Sequence, residues 1–179
     1  MTHDYNDLIY LFNSLFYRSE NTELVAGQAE PLYLPADESY PRDRVIFAHG
    51  FFASALHEIS HWCIAGLARR RQQDFGYWYE PDGRSMQQQR LFETVEVKPQ
   101  ALEWIFSVAA GSRFNLSLDN LSGALSGKEE AFRGNVKRQA RAYIEEAMPP
   151  RANRFLEVLV RHYRAGAPVR IDELHLDPN

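Results

Sequence analysis

Two histidines four residues apart are the side chains of this chain best suited to hold a metal ion. They frame the sequence His57-Glu58-Ile59-Ser60-His61, inside a segment whose apolar residues indicate a buried helix. Residues at positions i and i+4 share one side of a helix, with Cβ atoms about 6 Å apart. Both imidazoles can therefore reach one ion, and two neutral imidazoles suit Zn(II), Fe(II), Ni(II) or Cu(II).

A functional metal site needs at least one further protein ligand. An extended motif does not supply it, because Leu67 stands where a third histidine would lie. The best candidate is Glu96, which lies between two valines in a segment expected to approach the core. A carboxylate there is costly to bury unless a metal or a cationic side chain accompanies it. Glu93 and Glu103 are weaker candidates.

Glu58 distinguishes two classes of enzyme that share this ligand set. Zinc peptidases hold their metal and a bound water on three protein ligands, and the Glu of the motif acts as general base. Two histidines and one carboxylate also form the open face of non-haem Fe(II) oxygenases, where Glu58 need not act as a base. The spacing thus leaves a hydrolase, an oxygenase and a non-enzymatic protein with a structural motif as hypotheses.

The composition indicates one globular domain spanning residues 1–179. The chain has 179 residues, of which 45% are hydrophobic and 13% aromatic, enough for a sizeable core. A formal net charge of -4 gives no support for direct nucleic-acid binding. No stretch approaches the roughly 20 apolar residues of a membrane span. A single cysteine and the lack of a signal-peptide pattern in Met1–Asn6 lead us to expect a reducing, cytoplasmic location.

The apolar patterns predict an α+β fold: a single compact, helix-rich domain with a small sheet and a buried helix that carries the motif. Helices are expected at residues 3–18, 52–71, 98–110, 128–147 and 151–164. Strands are expected at residues 23–25, 32–34, 44–48 and 75–79, with a further strand beginning in 91–97. Pro99 is placed in the first turn of its helix, and Pro81-Asp82-Gly83 in a turn. Residues 166–179 are expected to form an irregular tail.

Six longer stretches carry more information than the pentapeptide. They are residues 31–37 (PLYLPAD), 47–51 (FAHGF), 53–66 (ASALHEISHWCIAG), 74–79 (DFGYWY), 81–84 (PDGR) and 95–102 (VEVKPQAL). Together they resemble the bacterial elongation factor P hydroxylase family, over a region from about residue 5 to about residue 165.

The resemblance implies a cytoplasmic non-haem metal-dependent oxygenase, a protein lysine hydroxylase that acts on the β-lysylated lysine of elongation factor P. It implies a divalent metal on His57, His61 and Glu96, with Fe(II) expected, Zn(II) as the alternative metal and O₂ as co-substrate. Glu58 is the candidate catalytic residue beside this site. The expected partner is elongation factor P, with no direct nucleic-acid or membrane contact. A zinc-dependent hydrolase or peptidase remains the alternative.

Two basic stretches are candidate docking surfaces for an acidic partner. They are Arg69-Arg70-Arg71, after the motif, and the region of Lys137, Arg138 and Arg141. Clustered positive charge steers the approach of an acidic protein.

Overall fold

Five helices and a three-stranded sheet make up the described part of the chain. The computed structural model describes residues 3–74, 86–117 and 126–175, with the backbone alone for residues 86–93 and 126–129. The helices are α1 (Tyr5–Phe16), α2 (Phe52–Ile64), α3 (Met86–Ala110), α4 (Ser126–Glu145) and α5 (Pro150–Arg164). The strands are β1 (Thr22–Ala26), β2 (Leu32–Leu34) and β3 (Asp43–Phe47). The predicted α+β class, a helix-rich single domain with a small sheet, is confirmed.

The sheet leads the chain into the helix that carries the two histidines. Its strand order is β1-β3-β2, with β3 parallel to β1 and antiparallel to β2. After β3, His49 and Gly50 have positive φ angles of 53° and 65°. A Cβ on Gly50 would approach the Tyr5 ring to 3.2 Å, so a glycine suits both the backbone angle and the space. This turn sets where α2 begins.

Helix α3 is the central element of the core. It packs against α2, α4 and α5, and most residues of its second half are buried. A helix covered on several sides cannot send its polar side chains into water. Each buried polar group on α3 therefore needs a partner inside the protein.

The motif helix is shorter than predicted. Helix α2 ends at Ile64 instead of residue 71, and Arg69–Arg71 form a separate 3₁₀ turn. The backbone leaves the helical region at Ala65, with φ -58° and ψ 123°. The last carbonyl groups of α2 are bonded by a side chain of α5, so they need no further helical turn.

The strand predicted to begin in residues 91–97 is wrong. This segment belongs to α3, and Pro99 lies inside the helix instead of in its first turn. A proline inside a helix lacks the amide that would bond the carbonyl four residues earlier, at a cost of about 3 kcal/mol. Buried residues such as Leu102, Ile105 and Phe106 outweigh that cost by packing into the core.

The remaining expectations have mixed outcomes. Helices α1, α4 and α5 and the first three strands lie close to their predicted bounds. The predicted strand 75–79 and the turn at residues 81–83 lie outside the described residues. Within the expected irregular tail, Ile171–Glu173 form a 3₁₀ turn, and Val169 and Leu174 are buried. Among the described helices, none combines the length and apolar composition needed to cross a membrane.

Arg151 of α5 holds the C-terminal end of α2. It donates hydrogen bonds to the carbonyl oxygens of Trp62 at 2.8 Å and Cys63 at 3.3 Å, and to that of Ala65. Its guanidinium carbon lies 4.6 Å from the centre of the Trp62 ring. Charge-assisted hydrogen bonds to otherwise unbonded carbonyls are among the stronger contacts in a protein.

Replacing Arg151 by Met keeps the aliphatic stem and removes these hydrogen bonds. We expect the free energy of unfolding to fall by about 2–3 kcal/mol, because several carbonyls lose their donor. Urea unfolding followed by circular dichroism measures the change. Arg161→Met, on the same helix but exposed, is the matched control and should change stability by less than about 0.5 kcal/mol. Equal loss in both variants would contradict the role of Arg151.

Candidate metal centre

Two residues of α2 and one of α3 bring their ligand atoms together. His61 Nε2 lies 3.1 Å from His57 Nε2 and 3.1 Å from Glu96 Oε1. His57 Nε2 lies 3.6 Å from Glu96 Oε2. Ligands held about 2.0–2.2 Å from one ion stand roughly 3 Å from one another. The three side chains predicted from sequence thus form a cluster whose spacing suits a single metal ion.

The donor set also suits a divalent metal with room for a reactant. Two imidazoles and one carboxylate match the preferences of Zn(II) and Fe(II). Among the described residues three side chains converge, which leaves further coordination positions open as in catalytic sites, whereas structural zinc sites are usually closed by four ligands. The residues present therefore fit a catalytic metal better than a structural one.

Glu96 is a buried residue whose carboxyl group stays ionised. Only 3% of the residue is exposed. Burial alone raises a carboxyl pKa, but the hydrogen bond to His61 and the nearby imidazole charges outweigh it and lower the pKa of Glu96 to about 2. A buried anion of this kind requires positive charge beside it.

Glu103 orients one of the histidines. His57 Nδ1 lies 2.8 Å from Glu103 Oε2, so the imidazole N–H can donate to the carboxylate. Such a bond leaves His57 Nε2 facing the other two ligand atoms, where a metal ion can take the place of its proton. The sequence offered Glu103 as a weaker candidate ligand. In the structure it instead bonds His57, which is itself a candidate ligand. It lies two helical turns after Glu96 on the same face of α3.

The charges around His57 favour a cation in this site. Burial lowers the pKa of His57, but the Glu103 hydrogen bond and the charges of Glu103, Glu96 and Glu58 together raise it to about 10. The imidazole thus stands among three carboxyl groups, an arrangement that strongly favours added positive charge.

Gln100 is a residue of the site that sequence reasoning missed. Its Nε2 lies 3.4 Å from Glu96 Oε2 and donates to the Ser117 carbonyl at 2.7 Å. The Ser117 amide donates back to Gln100 Oε1 at 3.1 Å. Gln100 therefore links the candidate ligand Glu96 to the loop that follows α3. The signal was the spacing of residues 96, 100 and 103 on one helical face, which the predicted strand obscured.

A pocket opens beside His61. Its apolar wall includes Leu32, Val45 and Ala65, and Glu58 lines it together with His61. Burial raises the pKa of the Glu58 carboxyl, although the two imidazoles oppose the shift. Within the described part of the chain, Glu58 has neither a hydrogen bond nor an ion pair. The structure thus places this candidate catalytic residue beside the candidate ligands with its carboxylate unpaired.

The first predicted docking stretch is only partly available at the surface. Arg70 is largely buried and lies 3.2 Å from Glu20, so it cannot serve as a docking residue. Arg69 pairs with Asp74, whereas Arg71 is exposed. In the second stretch, Lys137, Arg138 and Arg141 are all exposed.

The fold and the site together describe a helix-rich α+β protein with a candidate metal centre, to which the described residues contribute three ligands. A sequence profile described as elongation factor P hydroxylase matches residues 11–173. The chain is 51% identical over 163 residues to a Haemophilus influenzae protein named elongation factor P lysine hydroxylase, with 91% of each chain covered. The chain therefore belongs to the elongation factor P hydroxylase family, as the resemblance of its sequence motifs indicated.

Removing the Glu103 carboxylate should weaken metal binding without removing a ligand. We expect Glu103→Ala to bind Zn(II) or Co(II) about 10–100-fold more weakly, because His57 loses the group that orients it. Competition with a chromophoric chelator measures the affinity. Glu103→Gln keeps a hydrogen-bond acceptor and should lose less. Wild-type affinity in Glu103→Ala would show that the contact has no such role.

A pair of substitutions distinguishes the third ligand. We expect Glu96→Gln to lower metal affinity more than about tenfold, since an amide is a far poorer ligand than a carboxylate. Glu93→Gln, three residues earlier on the same helix, should retain wild-type metal content. Elemental analysis after dialysis against a metal buffer reports both. Loss of metal in Glu93→Gln with retention in Glu96→Gln would assign the ligand to Glu93.

Proposed function

We propose that this protein is a metal-dependent hydroxylase that adds one oxygen atom to the β-lysylated lysine of elongation factor P. The observation that carries the proposal is the convergence of His57, His61 and Glu96 on one point beside a pocket. Membership of the family and the printed name of the Haemophilus influenzae relative support the choice of substrate.

The proposed metal is Fe(II), held by His57, His61 and Glu96. This ligand set is typical of non-haem Fe(II) oxygenases. Bound Fe(II) would allow O₂ to be reduced with two electrons from an external donor, so that one oxygen atom enters a C–H bond and the other leaves as water. The proposed location is the cytoplasm, in keeping with the one cysteine, Cys63, being buried and unpaired.

The protein's own side chains would prepare the site for this chemistry. Glu103 holds the His57 ring, and Gln100 contacts the Glu96 carboxylate, so two of the three proposed ligands are restrained. The pocket beside His61 has apolar walls that suit the methylene groups of a lysine side chain. Such walls also limit water near the reacting carbon.

A zinc-dependent hydrolase is the second candidate. The observation that favours it is the unpaired Glu58 carboxylate beside the candidate ligands, where a general base would stand in a peptidase. The two functions differ in what happens to the substrate. A hydroxylase adds an oxygen atom from O₂, whereas a hydrolase breaks a bond and takes oxygen from water.

The proposal is tested by incubating the metal-loaded protein with β-lysylated elongation factor P, a reductant and ¹⁸O₂. We expect the intact mass of the substrate to rise by one ¹⁸O atom, at a rate reduced at least about 100-fold in His57→Ala and His61→Ala because the metal is lost. Glu157→Gln, an exposed change on α5, is the control. Cleavage of a peptide with no oxygen gained by elongation factor P would instead favour the hydrolase.

A further inference from the structure

Glu58 is the ionic side chain of the pocket that has no hydrogen bond and no ion pair among the described residues, and the imidazoles of His57 and His61 are the positive groups near it. The other ionic side chains lining the pocket each take part in an ion pair. Asp74 pairs with Arg69, and Arg70 pairs with Glu20. Glu58 is partly exposed and lines the pocket, so its unbonded carboxylate is accessible to a cation that arrives from outside.

The walls of the pocket restrict which cation it would accept. Leu32, Val45 and Ala65 are apolar, and Tyr33 has its hydroxyl engaged 2.9 Å from both an Asp43 oxygen and the Arg70 carbonyl. The second carboxylate of the lining, Asp74, is already paired with Arg69, so a hydrated metal ion would find few free oxygen ligands there. A long aliphatic chain ending in an amine would bury its methylenes there and bring one positive charge to the carboxylate.

We propose that Glu58 binds an ammonium group of the substrate side chain and so makes the pocket selective for long aliphatic amines. This inference rests on the proposed function and names the group that recognises the modified lysine. An ammonium–carboxylate hydrogen bond is charge-assisted and about twice as strong as a neutral one. Glu58 is a specificity-determining residue in this arrangement, and it touches the substrate without binding the metal.

The position of Glu58 on α2 would also determine which carbon of the substrate side chain reacts. Glu58 and His61 are three residues apart and line the same pocket, so they are neighbours on one helical face. An ammonium held at Glu58 therefore fixes how far along the aliphatic chain the carbon beside His61 lies. The carboxylate would select both the kind of side chain and the site of oxidation on it.

The experiment compares a charged and a neutral ligand of the same length. Binding of 1-aminohexane and 1-hexanol to the metal-loaded protein is measured by calorimetry for the wild type, Glu58→Gln and Glu58→Asp. We expect the wild type to prefer the amine at least about tenfold, because one charge-assisted contact is lost with the alcohol. Glu58→Gln should show a ratio near one, and Glu58→Asp, which keeps the charge, should keep a preference. Glu157→Gln, an equal change of charge on exposed α5, should behave as the wild type.

A second measurement separates substrate recognition from metal binding. We expect Glu58→Gln to keep the wild-type metal content while its KM for β-lysylated elongation factor P rises at least about tenfold. An amine preference that survives in Glu58→Gln, or no preference in the wild type, overturns the inference even if hydroxylation occurs. Conversely, Glu58→Gln could lose the amine preference while elongation factor P gains no oxygen in the assay of the wild type. That result would support the amine-binding pocket and contradict the proposed function.

Discussion

The contact between the buried Glu96 carboxylate and the two imidazoles of α2 is the constraint on which the site depends. It joins two core helices through charge, in a place where an unpaired carboxylate would be strongly unfavourable. The same contact brings together ligands from segments far apart in the chain. The packing of α2 against α3 therefore sets the positions of the donor atoms, and a small shift between these helices would separate them.

Helix α3 supplies more than the one candidate ligand. Glu96, Gln100 and Glu103 lie along one buried face, where the first faces both histidines, the second bonds the following loop and the third orients His57. Restraint by hydrogen-bonded neighbours keeps a metal site in a defined geometry before metal binds. The face is polar, yet each of these groups has a partner, as a buried helix requires.

The two carboxylates Glu20 and Glu58 near α2 differ in how many ion pairs they form. Glu20 lies within 4 Å of Arg70, Arg151 and Arg154 near the end of α2, so one carboxylate serves three arginines. On the side of the pocket, Glu58 faces the cavity with no such partner within the described residues. Of these arginines, Arg151 bonds the carbonyl groups at the end of α2, whereas the Glu58 carboxylate is accessible from the pocket. Glu58 thus differs from the arginines near it, because no ion pair within the described residues engages its carboxylate.

Local patterns in the sequence were sufficient to predict several features of this protein. The i, i+4 spacing of His57 and His61 places both rings on one helical face by geometry alone, and the apolar character of the flanking residues indicates burial. The valines beside Glu96 and the cost of burying an unpaired carboxylate made it the preferred third ligand, while Glu93 and Glu103 stayed open as weaker candidates. The strand prediction for residues 91–97 failed because packing around α3 outweighed the local preferences of Val95, Val97 and Pro99.

Tertiary structure decided how these parts work together. The orienting contact of Glu103, the link from Gln100 to Ser117 and the hold of Arg151 on α2 join residues from 17 to 89 positions apart. Local spacing carries no information about such pairs, because they depend on how the helices pack. The sequence by itself determined which residues could bind a metal and that the chain resembles a hydroxylase family. Only the fold decided which carboxylate meets the histidines and which one faces the pocket unpaired, since both outcomes depend on distances between separate elements.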